Sequence, residues 1–229
     1  MKWLKVFCIA GFATAVSAST LAADGGQILS SQCASCHALS KPENVGVDHI
    51  WERKGPDLYY AGNKFQRDWL VEWLQSPKAI RTGGEFYRKH VKSTPDGDVI
   101  DSTGVAAHPA LDKASAEATA DALLKLTVPG LVETGVFKNA AVSPTMGAMF
   151  FGKLRGCSSC HQDAPGKGGS SGPELYTANK RLQADYVYGY TQDPQKFDPR
   201  VWMPKTEMKD PDLQRLTGYI MQLKVGVAP

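Results

Sequence analysis

Charge imbalance is nearly missing from this chain. Its 26 Lys and Arg residues face 23 Asp and Glu, a formal net charge of +3 over 229 residues. That is too little to hold nucleic acid by electrostatics alone, so no nucleic-acid partner is expected. Long apolar runs are missing as well. The longest is the short stretch from Val6 to Val16, broken by Thr14, and a bilayer span needs about 20 apolar residues. Charged residues make up 21% and hydrophobic ones 42%, which excludes both a disordered chain and a polytopic membrane protein. Strand-like alternation is scarce, which argues for helices. Methionine is absent between His37 and Thr145, and that gap matters below.

What is present begins at the N-terminus. Lys2 and Lys5 precede the apolar run, and small residues (Ser17-Ala18-Ser19-Thr20-Leu21-Ala22-Ala23) follow it before Asp24. This is the pattern of a secretory signal peptide, with cleavage expected after Ala23. Two lysines and no acid leave with residues 1–23, which takes the charge from +3 to +1. Cys8 leaves too. The expected location is the periplasm, with the cell surface or the medium as alternatives.

Four cysteines then remain, in two identical settings: Cys33-Ala34-Ser35-Cys36-His37 and Cys157-Ser158-Ser159-Cys160-His161. Both read C-x-x-C-H, the attachment signature of c-type haem. Two thiols one helical turn apart can add to the two vinyl groups of one haem, and the adjacent histidine supplies an axial ligand to its iron. A shared zinc site is disfavoured, since over a hundred residues separate the pairs and a His follows each. A thioredoxin-type redox pair lacks its βαβ setting. The expected cofactors are two covalently bound c-type haems.

The repeat extends past the motif. Gly55-Pro56-Asp57-Leu58-Tyr59 matches Gly172-Pro173-Glu174-Leu175-Tyr176, and Asn63-Lys64 matches Asn179-Lys180. Trp73-Leu74-Gln75-Ser76-Pro77 matches Tyr190-Thr191-Gln192-Asp193-Pro194, at a steady offset of 116–117 residues. Repeats of this kind point to a duplicated unit. Helical spacing supports the same view. Phe65, Trp69, Leu70, Trp73 and Leu74 share one face, with Pro77 as the stop. Helices are also expected over 114–126 and 212–223. Residues 129–145, with Pro129, Gly130, Gly135 and Pro144, read as a linker.

With these motifs in place, each half resembles a class I cytochrome c domain, and the whole resembles the tandem dihaem cytochromes, loosely of the cytochrome c4 type. The resemblance implies an all-α fold of two tandem class I cytochrome c domains, each wrapped around one covalently bound haem. Domain 1 would span 24–128, the linker 129–145 and domain 2 146–229. It also implies that the carbonyls of Pro56 and Pro173 orient His37 and His161, and that a methionine before the last helix ligates the second iron. Met203, in Trp202-Met203-Pro204, stands at that point. Met208 and Met221 are its rivals.

The first half departs from the family pattern, since it has no methionine to offer. Aligning the repeats puts Ala107-His108-Pro109 where Trp202-Met203-Pro204 stands. His108 is therefore the expected sixth ligand of haem 1, a bis-histidine iron. His90 is the runner-up. His49, twelve residues past His37, is expected on the proximal side. Met146 and Met149, reaching back from the second half, are weaker candidates still.

Two ligand sets imply two potentials. The expected function is electron transfer, from a low-potential bis-His haem 1 to a higher-potential His/Met haem 2. Redox proteins would be donor and acceptor. Two alternatives stand beside this. The chain could be an electron-transfer subunit of a larger, even membrane-associated, oxidoreductase, or a dihaem enzyme with an open site at haem 1. The first half also carries an insertion, since His108 stands 31 positions past Pro77 but Met203 only nine past Pro194. It runs over about 81–103 and includes the basic cluster Arg88-Lys89-His90-Val91-Lys92, which suits an acidic partner, a haem propionate or a solvated loop. The Gly166–Gly172 segment reads as a flexible loop, and Asp96-Gly97-Asp98 falls short of a calcium loop.

Overall fold

The computed structural model describes residues 24–81, 83–139 and 141–224. The leader assigned to residues 1–23 lies outside them. The chain is helix-rich, with two short hairpins, in keeping with a mostly-α fold.

In the first half, Asp24 caps α1 (Gly25–Ile28) by accepting from the backbone N–H groups of Gly26 and Gln27 at 2.9 and 3.2 Å. The helix then widens into a π-turn at Leu29–Cys33, which delivers the first cysteine. There follow α2 (Val47–Glu52), α3 (Ala61–Lys64), α4 (Arg67–Gln75), the hairpin strands β1 (Val91–Thr94) and β2 (Gly97–Ile100), and α5 (Lys113–Leu124). Asp112 caps α5 on the N–H of Ser115.

The second half repeats this plan. Helix α6 (Pro144–Met149) also widens into a π-turn, at Phe150–Leu154, just before the second cysteine pair. Single π-turns inside helices gather at functional sites, and here one ends on Cys33 and the other three residues before Cys157. Strands β3 (Gln162–Ala164) and β4 (Lys167–Gly168) follow, then α7 (Ala178–Arg181), α8 (Ala184–Gln192), α9 (Pro194–Phe197) and α10 (Asp210–Gln222).

In each half the first helix crosses the last at a buried glycine. A Cβ on Gly25 would run into the Ala118 backbone of α5, and one on Gly147 into the Tyr219 ring of α10. Around these crossings the apolar faces close into one buried cluster that runs through both halves. It includes Leu29, Leu70, Leu74 and Leu123 from the first, and Phe151, Tyr186, Leu216 and Ile220 from the second.

The halves meet through a reciprocal exchange. Gln66 N donates to Arg181 O at 3.0 Å, and Gln183 N to Lys64 O at 2.9 Å, flanking an antiparallel bridge between Phe65 and Leu182. The side chains repeat it. Gln66 Nε2 donates to the carbonyls of Asn179 (2.8 Å) and Leu182 (2.7 Å), and Gln183 Nε2 to those of Gly62 (2.8 Å) and Phe65 (3.0 Å). Each residue is replaced by the one 117 positions away. The junction thus has local two-fold symmetry. Beside it Phe197 packs on Tyr186, Tyr190 and Tyr60, with centroids 5.3, 5.3 and 6.2 Å away.

Two segments differ from their sequence expectation. The insertion folds as a hairpin, with Val91 opposite Ile100 and Thr94 opposite Gly97, around a Pro95-Asp96 turn. Gly166–Gly172 is not a free loop. Lys167 and Gly168 pair with β3, and Gly169 N donates to Ser158 O at 2.8 Å, beside the second cysteine pair. The 129–145 stretch runs along the second half. Gly135 N and Phe137 N donate to Asp185 at 2.7 and 2.9 Å, and Gln214 Nε2 to Val136 O at 2.7 Å.

Candidate haem-attachment sites

The cysteine pairs sit alike. Cys33 and Cys157 are half-buried, Cys36 and Cys160 are exposed, and none forms a disulfide. Burial pushes the Cys33 and Cys157 thiols up from their ordinary range. In each motif the His N–H closes on the carbonyl of the first cysteine at 3.0 Å, so one turn of backbone carries both thiols and the imidazole.

The imidazoles are then fixed in the same way. His37 Nδ1 lies 2.7 Å from Pro56 O, and His161 Nδ1 lies 2.8 Å from Pro173 O. A carbonyl only accepts, so Nδ1 carries the proton and Nε2 keeps its lone pair for a metal. The loop that supplies the carbonyl is anchored behind the motif, by Leu58 N to Ala38 O at 2.9 Å and by Leu175 N to Gln162 O at 2.8 Å. The preceding glycines lie flat on the rings. A Cβ on Gly55 or Gly172 would collide with His37 or His161. The Gly-Pro pairs therefore do two things that a plain turn would not require. The glycine makes room for the imidazole and the proline carbonyl aims it. Burial lowers the His161 pKa, with Arg81 and Arg181 adding to the effect and the Pro173 bond opposing it.

His108 is the histidine brought to His37. Their ring centroids are 6.2 Å apart, with planes tilted by 49°. Two imidazoles that bind one metal through one nitrogen each, at about 2 Å, have centroids about 6 Å apart. The spacing fits a single shared iron. His108 Nδ1 is 2.8 Å from Pro109 O, which again leaves Nε2 free. Trp73 meets the His108 ring edge-on at 4.6 Å and is itself held by its Nε1 donating to Lys78 O at 2.9 Å. Burial lowers the His108 pKa, and neighbouring His37 lowers it further.

Of the rivals, His49 lines the same cleft as Cys36 and His37, but its Nε2 is turned to a carboxylate. His90 sits within the insertion, its ring against Gly84 and Gly104. His49 faces Asp57, with Nε2 3.1–3.2 Å from the carboxylate. Met146 and Met149 are exposed on α6. In the second half Met203 is half-buried, and its carbonyl accepts from Gln195 Nε2 at 2.8 Å, which ties it to α9. Met208 and Met221 pack at the edge of the common core.

One cluster was not anticipated. Arg53, of which only a tenth is exposed, reaches Asp57 (3.5 Å), Glu85 (2.7 Å) and Asp198 (2.9 Å). One guanidinium thus ties the first-half loop, the insertion and the second half together. The i, i+4 spacing of Arg53 and Asp57 was visible in the sequence, but the two distant carboxylates carried no local signal. Among the described residues, no three or more His, Cys, Asp or Glu side chains converge on one metal position. A haem iron draws only two ligands from the chain.

Comparison with protein-family models, with curated proteins and with solved structures returned no match.

Proposed function

We propose that the chain is an exported electron-transfer protein that carries two covalently attached c-type haems, one in each half. The observation that carries this reading is the duplicated constellation: two thiols and an imidazole on one turn, with the imidazole oriented by a proline carbonyl, at equivalent positions in both halves. Cys33, Cys36 and His37 hold one haem, and Cys157, Cys160 and His161 the other. His108, beside His37, would supply the further ligand of the first iron, and Met203, its counterpart in the repeat, that of the second. Each haem supplies a reversible one-electron change at its iron.

The protein's own part is to fill the axial positions and bias them. Ligation by side chains on both faces leaves no place for substrate, which favours electron transfer over catalysis. An imidazole pair favours ferric iron relative to an imidazole with a thioether. Electrons therefore run from the first half to the second, and redox proteins act as donor and acceptor.

The test is the EPR spectrum of the fully oxidised, purified protein, with covalent haem counted on the denatured chain. Two haems and two low-spin signals, one bis-imidazole and one His/Met, are expected. A high-spin signal near half of the iron would overturn the His108 assignment and open the first half to small-molecule chemistry. A chain without covalent haem would overturn the reading as a whole.

A further inference from the structure

Three exposed or half-buried aromatic rings from three separate segments touch in a row. Trp51 of α2 meets Phe86 of the insertion edge-on at 4.8 Å, and Phe86 meets Trp202 edge-on at 5.4 Å. Trp51 is 49% exposed and Trp202 65% exposed, and Val47, one turn before Trp51, is 66% exposed. A single exposed apolar side chain is ordinary, but a contiguous exposed patch marks a binding surface. Trp, Phe and Arg are the residues that interfaces favour. The row is braced from within, because Arg53 holds both Glu85, next to Phe86, and Asp198, four residues before Trp202.

Its rim is cationic. Lys89 Nζ lies 4.7 Å from the Trp51 ring centre and donates to the Trp51 carbonyl. Arg88, Lys54 and Arg200 are exposed nearby in the chain, each within three residues of a ring of the row. Asp48 and Glu52 are the exposed acids on α2. Among the exposed charges of these segments, four cations stand against the two acids of α2, while the Arg53 cluster beneath adds one guanidinium and three largely buried carboxylates. Trp202 directly precedes Met203, the residue proposed above as the second half's further ligand.

We infer that the Trp51–Phe86–Trp202 row, with its cationic rim, is the surface on which an acidic one-electron carrier protein docks to collect electrons from the second half. This rests on the electron-transfer reading above. The reduced chain loses one electron and the partner's oxidised centre gains it; no bond or proton moves. The apolar rings supply contact and the rim steers the encounter, which raises association rates most at low salt.

The test uses the holoprotein, with an acidic blue-copper protein as the probe. Reduced chain is mixed with oxidised probe, and the second-order rate constant is followed as salt is raised. The rate is expected to fall with ionic strength. Trp202→Ser and Trp51→Ser should each slow it by about tenfold. Arg88→Glu combined with Lys89→Glu should flatten the salt dependence. Both midpoint potentials should stay put, and the rate with a small cobalt complex as oxidant should change less than about twofold. NMR line broadening of the oxidised probe by the oxidised chain should weaken in the same variants. A rate that ignores salt, or Trp variants as fast as the parent, would overturn the docking surface while leaving the electron-transfer reading intact. Loss of the cobalt reaction in the parent protein would instead overturn that reading, and this surface with it.

Discussion

The two halves hold their first histidine identically and treat the opposite side differently. In both, a proline carbonyl aims the ring and a glycine makes room for it. The ring that His37 meets is that of His108, braced by Trp73; at the matching positions of the repeat the second half has Met203 and Tyr190. The first half alone carries the hairpin insertion. The seating of the first histidine is thus the constant, and the residue at the His108 position the variable. A duplicated unit can keep the device that builds a site and still give its copies different redox properties.

The largest test of this contrast removes attachment from one half. Cys157→Ala with Cys160→Ala should leave the second half largely unfolded, because its helices lose the group they pack around. Circular dichroism should lose about half of the helical signal while the first half keeps its haem. A native-like spectrum would refute this. Next, Gly55→Ala and Gly172→Ala should each cost about 2–4 kcal/mol, since either methyl group must displace an imidazole. Similar losses in thermal unfolding would sharpen the equivalence of the two proximal sides, and a cost confined to one half would break it.

The distal contrast is tested by His108→Met. The midpoint of the first half should rise by on the order of a tenth of a volt or more toward that of the second, which should stay put. Potentiometric titration reads both. A smaller effect is expected at alkaline pH. Burial raises the Tyr190 phenol from 10.0 to about 12 and pushes Tyr60 and Tyr186 up as well. A raised phenol pKa stabilises the fold fully below 10, and that contribution is lost as the pH climbs from 10 toward 12. Lys64 acts with the opposite sign. Burial lowers it from 10.5 to about 8, so its penalty is relieved between those values. The loss should therefore be read above about 10.5, as phenolate absorbance rising with loss of near-ultraviolet dichroism. Tyr190→Phe should reduce it.

The candidate attachment sites could be named from the sequence because their chemistry is local. Five consecutive residues carry two thiols and an imidazole, and Gly-Pro at the repeat offset pointed to the carbonyls of Pro56 and Pro173. His108 was singled out by alignment of the copies and by the missing methionine, and its ring lies 6.2 Å from that of His37. Helices α4, α5 and α10 came within a few residues of their expected bounds, since apolar spacing and a following proline or cap define them. The hairpin at 91–100 was missed although Thr94-Pro95-Asp96-Gly97 is a turn signal, because its strands are mostly exposed and show little apolar alternation. The Arg53 cluster and the aromatic row were out of reach for another reason. Their members come from segments up to about 150 residues apart, and no spacing rule connects them.

The exchange of Gln66 and Gln183 across the junction has a consequence for how such a molecule can specialise. The contact is isologous, the kind that two identical chains make with each other. A homodimer built on it would be bound by its own symmetry, since every substitution appears twice and both centres must keep the same ligands. Joining the two copies in one chain preserves the contact at a high effective concentration and lifts that restriction. One copy can then exchange a thioether for an imidazole, or gain a hairpin, without the other following. A driving force between two centres becomes heritable only when the partners are no longer the same gene product copied twice.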